Sequence, residues 1–205
     1  MTACPHLAML HRAWRCVVDR MSLRTPLNGF TLIELMVVLV LLALLLGLGV
    51  PSMQQLLHRN SLRAEAHRLL AAVNLTRSEA VMRNRPVSLC PSAMSVTGQP
   101  VCGGHYSDGW IVFSNSGRDR VVDPGSDEVL QVFAGMPPGY TLTNRSGSRE
   151  LSELISYLPD GSSRKNRTLL ICTPPAVALA PLGIVINIVG RPRLAQDWGQ
   201  CAGAR

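Results

Sequence analysis

The 205-residue sequence contains no G-x-S-x-G, no H-E-x-x-H, no P-loop and no glycine-rich dinucleotide turn. The nucleophile elbow, the zinc-protease helix and the phosphate cradles of nucleotide enzymes are therefore excluded. The chain reads as a non-enzyme with no cofactor. It also lacks C-x-x-C, and His105 is the one histidine near Cys90, Cys102, Cys172 and Cys201, so the ligand spacing of a structural zinc site is absent. Asp119, Asp123 and Asp127 recur every four residues, yet "DRVVDPGSDE" does not have calcium-loop spacing and reads as a surface acidic loop. Aromatic residues are scarce, at 4%. Trp110, in "DGWIVF", reads as core rather than as a platform for stacked bases. Asn144-Arg145-Ser146 matches a glycosylation acceptor and is taken as a chance match. No internal repeat is visible.

Apolar residues, by contrast, are concentrated in one place. Leu32 to Val50 is a nearly uninterrupted hydrocarbon run. Its length of about 19 residues is roughly 28 Å as a helix, close to the hydrocarbon thickness of a bilayer. No small-x-small cleavage site follows it, so it reads as a retained anchor rather than a secretory signal. Arg12, Arg15, Arg20 and Arg24 precede it against Asp19 alone, which marks residues 1–29 as a basic leader. Met21 opens "MSLRTPLNG", a compact leader in its own right, and is the expected start of translation. Arg59, Arg63 and Arg68 follow the run closely, so the positive-inside rule barely decides orientation. The net charge of +7 permits nucleic acid or anionic lipid as partner and proves neither. Of six cysteines, the four beyond the anchor suggest disulfides in an oxidising compartment. Three pairings are open; the nearest-neighbour one closes loops of about 12 and 30 residues, each contributing about 3–4 kcal/mol in the loop-entropy account.

Past Pro51 a helical period resumes. Leu62, Ala66, Leu69, Val73, Thr76 and Ala80, with Leu70 beside them, form one stripe, while Arg59, Arg63, His67, Asn74 and Ser78 lie off it. Pro86 ends the helix by disfavouring the α region in the residue before it. The whole rod is about 55 residues, roughly 80 Å, with Pro51 bending or loosening it. Strands are expected at Val87–Cys90, Trp110–Phe113, Val129–Phe133, Tyr140–Thr143, Ile155–Leu158, Leu169–Cys172 and Ile184–Val189, separated by turn signals. Residues 173–181 are a proline-broken loop. The expected class is α+β: a long N-terminal helix packed on a small antiparallel β-sheet domain. The boundaries are 1–29 leader, 30–51 membrane-spanning half of the helix, 52–85 amphipathic half, and 86–205 β-rich domain.

"GFTLIELMVV" supplies the most specific signal. A basic leader ending in Gly29, an aromatic Phe30, Glu34 at the fifth mature position and the apolar span together resemble the class III signal of type IV pilins and pseudopilins. "RSEAVMRNRPVSLCPS", "DGWIVFSN", "LPDGS", "LLIC" and "GRPRL" resemble the FimT/GspH branch of minor pilins. The resemblance implies a pilin-like fold, with cleavage between Gly29 and Phe30 by a prepilin peptidase and methylation of the new amine. It further implies a single-pass subunit in the bacterial inner membrane with its β domain in the periplasm. Such a subunit assembles with other pilins or pseudopilins into a type IV pilus or a type II secretion pseudopilus. A carboxylate inside a bilayer costs about 2.5–3.5 kcal/mol on insertion scales. The amine created on Phe30 lies one helical turn from Glu34, and in the family this Glu pairs with a neighbouring subunit's amine.

The C-terminal end carries the second signal. Arg191 and Arg193 stand two apart after Gly190, so in an extended segment they project to one side and form a phosphate-reading pair. Arg164, Lys165 and Arg167 in "SSRKNR" extend the patch. In the FimT branch a Gly-Arg-x-Arg ending is associated with DNA uptake, so the resemblance implies double-stranded DNA as a partner of these residues. The alternative is a GspH-type pseudopilin of type II secretion that binds no DNA.

Overall fold

The computed structural model of the chain describes residues 29–117 and 119–202, with the side chains of residues 48–52 excepted. Residues 1–28 of the leader, with the Met21 start, lie outside the described residues, as do the side chains of the last part of the apolar run. Among the described residues no helix is long and apolar enough to cross a membrane. The described side chains of the run stop at Gly47, short of the roughly 20 residues a span needs. The chain divides into two compact units at the Gly49–Val50 junction.

Helix α1 (Leu32–Met82) begins in the first unit, and its backbone stays helical through Gly47, Gly49 and Pro51. Thr31 starts it: its Oγ1 accepts the Glu34 amide at 3.3 Å. This is half of a T-x-x-E capping box. Glu34 thus sits in the first turn, where the helix dipole favours a negative charge. Leu32 to Leu46 leave their apolar side chains exposed within the chain.

In the second unit the C-terminal part of α1 buries the face its periodicity predicts. Leu62, Ala66, Leu69, Val73, Thr76 and Ala80 are all buried, Leu70 is half-buried, and Arg59, Arg63, His67, Asn74 and Ser78 are exposed. The helix ends at Met82, earlier than Pro86 alone would require. Asn84 adopts a left-handed φ of 49°. The Asn84 amide donates to Val81 O and the Arg85 amide to Ala80 O, so the termination is a Schellman motif with asparagine in the left-handed position.

Eight strands follow: β1 (Val87–Pro91), β2 (Gly109–Ser114), β3 (Val129–Ala134), β4 (Thr141–Thr143), β5 (Ile155–Tyr157), β6 (Arg167–Cys172), β7 (Leu182–Ile186) and β8 (Pro192–Gln196). They form two antiparallel four-stranded sheets, ordered β3-β2-β1-β5 and β4-β6-β7-β8. All seven expected strands are present with shifted ends, and residues 173–181 form a loop. Three elements were not foreseen: a short helix α2 (Met94–Thr97), a 3-10 turn (Tyr106–Asp108) and strand β8. β8 begins at Pro192, whose missing amide is tolerated at the end of an edge strand.

Pleating sorts each sheet into two faces. Val87, Leu89, Trp110 and Val112 of the first sheet join Leu142, Leu169, Ile171, Ile184 and Ile186 of the second around the stripe of α1 in one core. Cys90, Ile111 and Phe113 point the other way and form a second, smaller cluster with Cys102 and Met94 against it. The disulfides join nearest neighbours, Cys90–Cys102 and Cys172–Cys201. Each fastens a loop or tail over the outward face of one sheet.

Candidate functional site

Two regions carry the candidate chemistry, one in each unit. At the N-terminal end, Phe30 is fully accessible and a Cβ added to Gly29 would meet nothing within 4 Å. The fold therefore does not require glycine there, and its presence calls for another reason. Glu34 is exposed, one turn from Phe30.

The second region is one end of the second sheet. β7 and β8 are joined by residues 187–191, and the register pairs Ile186 with Pro192 and Val185 with Arg193. Asn187 shapes the turn: its carbonyl accepts the Gly190 amide at 2.8 Å, and its Oδ1 accepts the Arg191 amide at 2.9 Å. The loop carrying Arg164 and Lys165 is stitched to this hairpin through Ile188. The Ser163 amide donates to Ile188 O at 3.0 Å, and the Ile188 amide donates to Asn166 Oδ1 at 2.7 Å. Gly190 has φ 80°, and a Cβ there would collide with Gly161 O, so only glycine allows the two loops to meet this closely. Gly161 O also accepts Arg77 Nε of α1 at 3.0 Å, which ties both loops to the helix. Tyr157 is buried beneath them, and desolvation pushes its hydroxyl up to about 12 against the opposing charges of Arg77 and Arg167.

Arg164, Lys165, Arg191 and Arg193 are thus exposed around one end of the sheet. Among the described residues, none of the four has an ion-pair partner. Arg167 behaves differently. It pairs with Ile186 on the inward face of the sheet, its side chain is 17% exposed, and it lies 3.6 Å from Glu153, which also binds Arg149. Strand parity explains the separation: Arg167 shares a face with Leu169 and Ile171, not with its basic neighbours in sequence.

Arg193 also departs from a simple pair with Arg191. It belongs to β8, on the outward face, with its guanidinium carbon 4.9 Å from the centre of the Trp198 ring. Arg145 approaches the same ring at 5.3 Å. Neither Arg145 nor Trp198 was singled out from sequence. Their contact depends on a tail folded back by Cys172–Cys201, a distance in space that local pattern does not encode.

The model of the family described as type II transport protein GspH matches residues 65–190. The chain belongs to the GspH family. A model of the prokaryotic N-terminal methylation motif matches residues 28–50 of this GspH-family chain as well. Type II secretion system protein H of Pseudomonas aeruginosa is 44% identical over 62 residues, covering 30% of this chain and 36% of that protein. The match thus spans about a third of the curated relative's length. Among solved structures, the type IV minor pilin FimU of Pseudomonas aeruginosa is 21% identical, covering 67% of this chain and 90% of its own, with a TM-score of 0.47. The minor pseudopilin EpsH from the type 2 secretion system of Vibrio cholerae is 11% identical, covering 65% and 95%, with a TM-score of 0.44. The GspH-family chain thus joins an N-terminal methylation motif to a GspH region, on an α+β fold.

Proposed function

We propose that this subunit is processed between Gly29 and Phe30 by a prepilin peptidase, methylated on Phe30, and held in the bacterial inner membrane by Leu32–Val50. Its β-rich domain then lies in the periplasm, and the apolar helix carries the subunit into a type IV pilus or a type II secretion pseudopilus. Glu34 pairs with the N-terminal amine of a neighbour and fixes register. The apolar side chains of Leu32–Leu46, exposed among the described residues, support this reading, as does a glycine at 29 with open space around it. The boundaries follow: residues 1–29 as leader, 30–51 as the spanning half, 52–85 as the periplasmic half of the helix and 86–205 as the β domain.

The subunit binds double-stranded DNA during uptake through Arg191, Arg193, Arg164 and Lys165. The observation that carries this is the stitching of the two basic loops through Ile188, which gathers unpaired cations at one end of the sheet. Arg167, held by Glu153, is left out of the proposed contacts. Binding is to phosphates, so it is independent of base sequence and weakens steeply with salt. In a titration of the full chain in neutral detergent with labelled duplex DNA, Arg191→Ala/Arg193→Ala weakens binding by roughly tenfold or more. It also flattens the salt slope by about 0.9 for each arginine lost. Binding that is absent, or indifferent to this double variant, overturns the DNA reading. The subunit is then a GspH-type pseudopilin of type II secretion, the reading favoured by the family match and the curated relative.

A further inference from the structure

We infer that Trp198 is a positioning residue and that, through it, Arg145 joins the phosphate-binding surface; this rests on the DNA reading above. The geometry begins with one row of the second sheet. Thr168 pairs with Val185, and Val185 pairs with Arg193. These three residues share the outward face, because directly paired residues point to the same side. On the opposite edge, β4 runs antiparallel to β6, with Thr143 beside Leu170. β4 ends at Thr143, and Arg145 lies in the turn that follows it, closed by the Gly147 amide donating to Asn144 O. Arg145 therefore follows the strand at one edge of the sheet, and Arg193 belongs to the strand at the other.

The C-terminal tail crosses between them. Cys172–Cys201 anchors it, and the Gln200 amide donates to Arg145 O at 3.3 Å. Gly147 and Gly199 each lie where a Cβ would collide with the facing backbone, so the tail lies directly on the 144–147 loop. The tail thereby places the Trp198 ring within reach of both guanidiniums. Trp198 is 37% exposed and belongs to neither hydrophobic cluster among the described residues. Both guanidiniums approach its ring, Arg193 at 4.9 Å and Arg145 at 5.3 Å from the centre.

This arrangement suits a polyanion. A cation–π contact uses the flat face of the guanidinium and leaves the N–H donors on its rim directed outward. The ring thus holds each arginine in one orientation without consuming the donors that a phosphate takes. An arginine immobilised beforehand loses less side-chain entropy on binding. Arg145 adds a cation on the far edge, so a duplex backbone crosses the outward face of the sheet instead of touching its end alone.

The full chain in neutral detergent is titrated with fluorescein-labelled duplex DNA at two salt concentrations. Far-UV circular dichroism and a free-thiol count verify that each variant keeps its fold and both disulfides. Trp198→Leu keeps an apolar side chain and removes the π face, and binding weakens about five- to tenfold. Trp198→Phe restores most of it. Arg145→Ala lowers the salt slope by about 0.9, the signature of one lost phosphate contact. If Trp198→Leu and Arg145→Ala bind like the unaltered chain while Arg191→Ala/Arg193→Ala does not, the inference is wrong and the DNA reading survives. Equal losses in the Leu and Phe variants would also overturn the positioning role. An unaltered chain that fails to bind DNA removes both.

Discussion

Trp110 and Trp198 show how much a single residue type can differ in role within one domain. Trp110 is fully buried, stacked on Phe133 at 5.6 Å and covered by the Arg68 guanidinium at 4.6 Å. It was legible as core because it sits inside a run of strand-forming residues flanked by turn signals. Trp198 follows Asp197, itself at a positive φ of 53°, in an irregular tail. Nothing local to it distinguishes a chance surface aromatic from one that organises two arginines. The tyrosines make a testable contrast at this scale. Tyr157, shifted to about 12, is harder to ionise in the folded chain than in the unfolded one. A folded pKa raised above the unfolded value means that the unfolded state releases its proton first as pH rises. Its contribution is therefore whole below about pH 10 and is lost as pH climbs towards 12. Denaturant titrations should give a flat unfolding free energy attributable to this group from pH 7 to about 9.5 and a decline above pH 10. Tyr157→Phe should make that decline shallower; an unchanged decline would assign it elsewhere.

Elements were legible wherever their period reached the core. The stripe on α1 could be read residue by residue because burial against two sheets imposes a 3.6-residue repeat that loops do not share. The end of α1 was not, because an asparagine in a left-handed cap leaves no mark in hydrophobic periodicity. β8 was missed for the opposite reason: Pro192 reads as a strand breaker, and only its place at the end of an edge strand makes it acceptable. The basic loop before β6 could be seen as a cluster in sequence, but strand parity turned Arg167 inward to Glu153. The tail is an element held chiefly by one covalent bond. Replacing both cysteines, as Cys172→Ser/Cys201→Ser, should lower the unfolding free energy by about 2–5 kcal/mol. Far-UV circular dichroism should stay unchanged, since neither cysteine belongs to the main core. Loss of secondary structure would show that the bridge supports the sheet itself and not only the tail.

At the scale of the whole molecule, the fold class and the family were both legible, for different reasons. The class follows from the switch of period after Pro86; the coincidence of Gly29, Phe30, Glu34 and the apolar run reads only as pilin-like, and "RSEAVMRNRPVSLCPS" carries the FimT/GspH family. The proposed assembly makes one demand on Glu34 beyond its place in the first turn of α1. Glu34→Ala should leave membrane insertion intact and abolish incorporation into the filament, read by cell fractionation beside analysis of sheared filaments. Incorporation at the normal level would leave the carboxylate with its helix-starting role alone.

The disulfide pattern has a consequence for the order of events during synthesis. A chain is made from its N-terminus, so the four cysteines beyond the anchor become available in the order 90, 102, 172, 201. The first two are partners and the last two are partners. Each bond closes on the cysteine that arrives next, while the following pair has yet to appear. Neither a crossed nor a nested pairing has this property; both would leave Cys90 waiting through most of the domain. The native connectivity is therefore also the one that haste produces, and this subunit can be oxidised as it emerges without any bridge having to be undone.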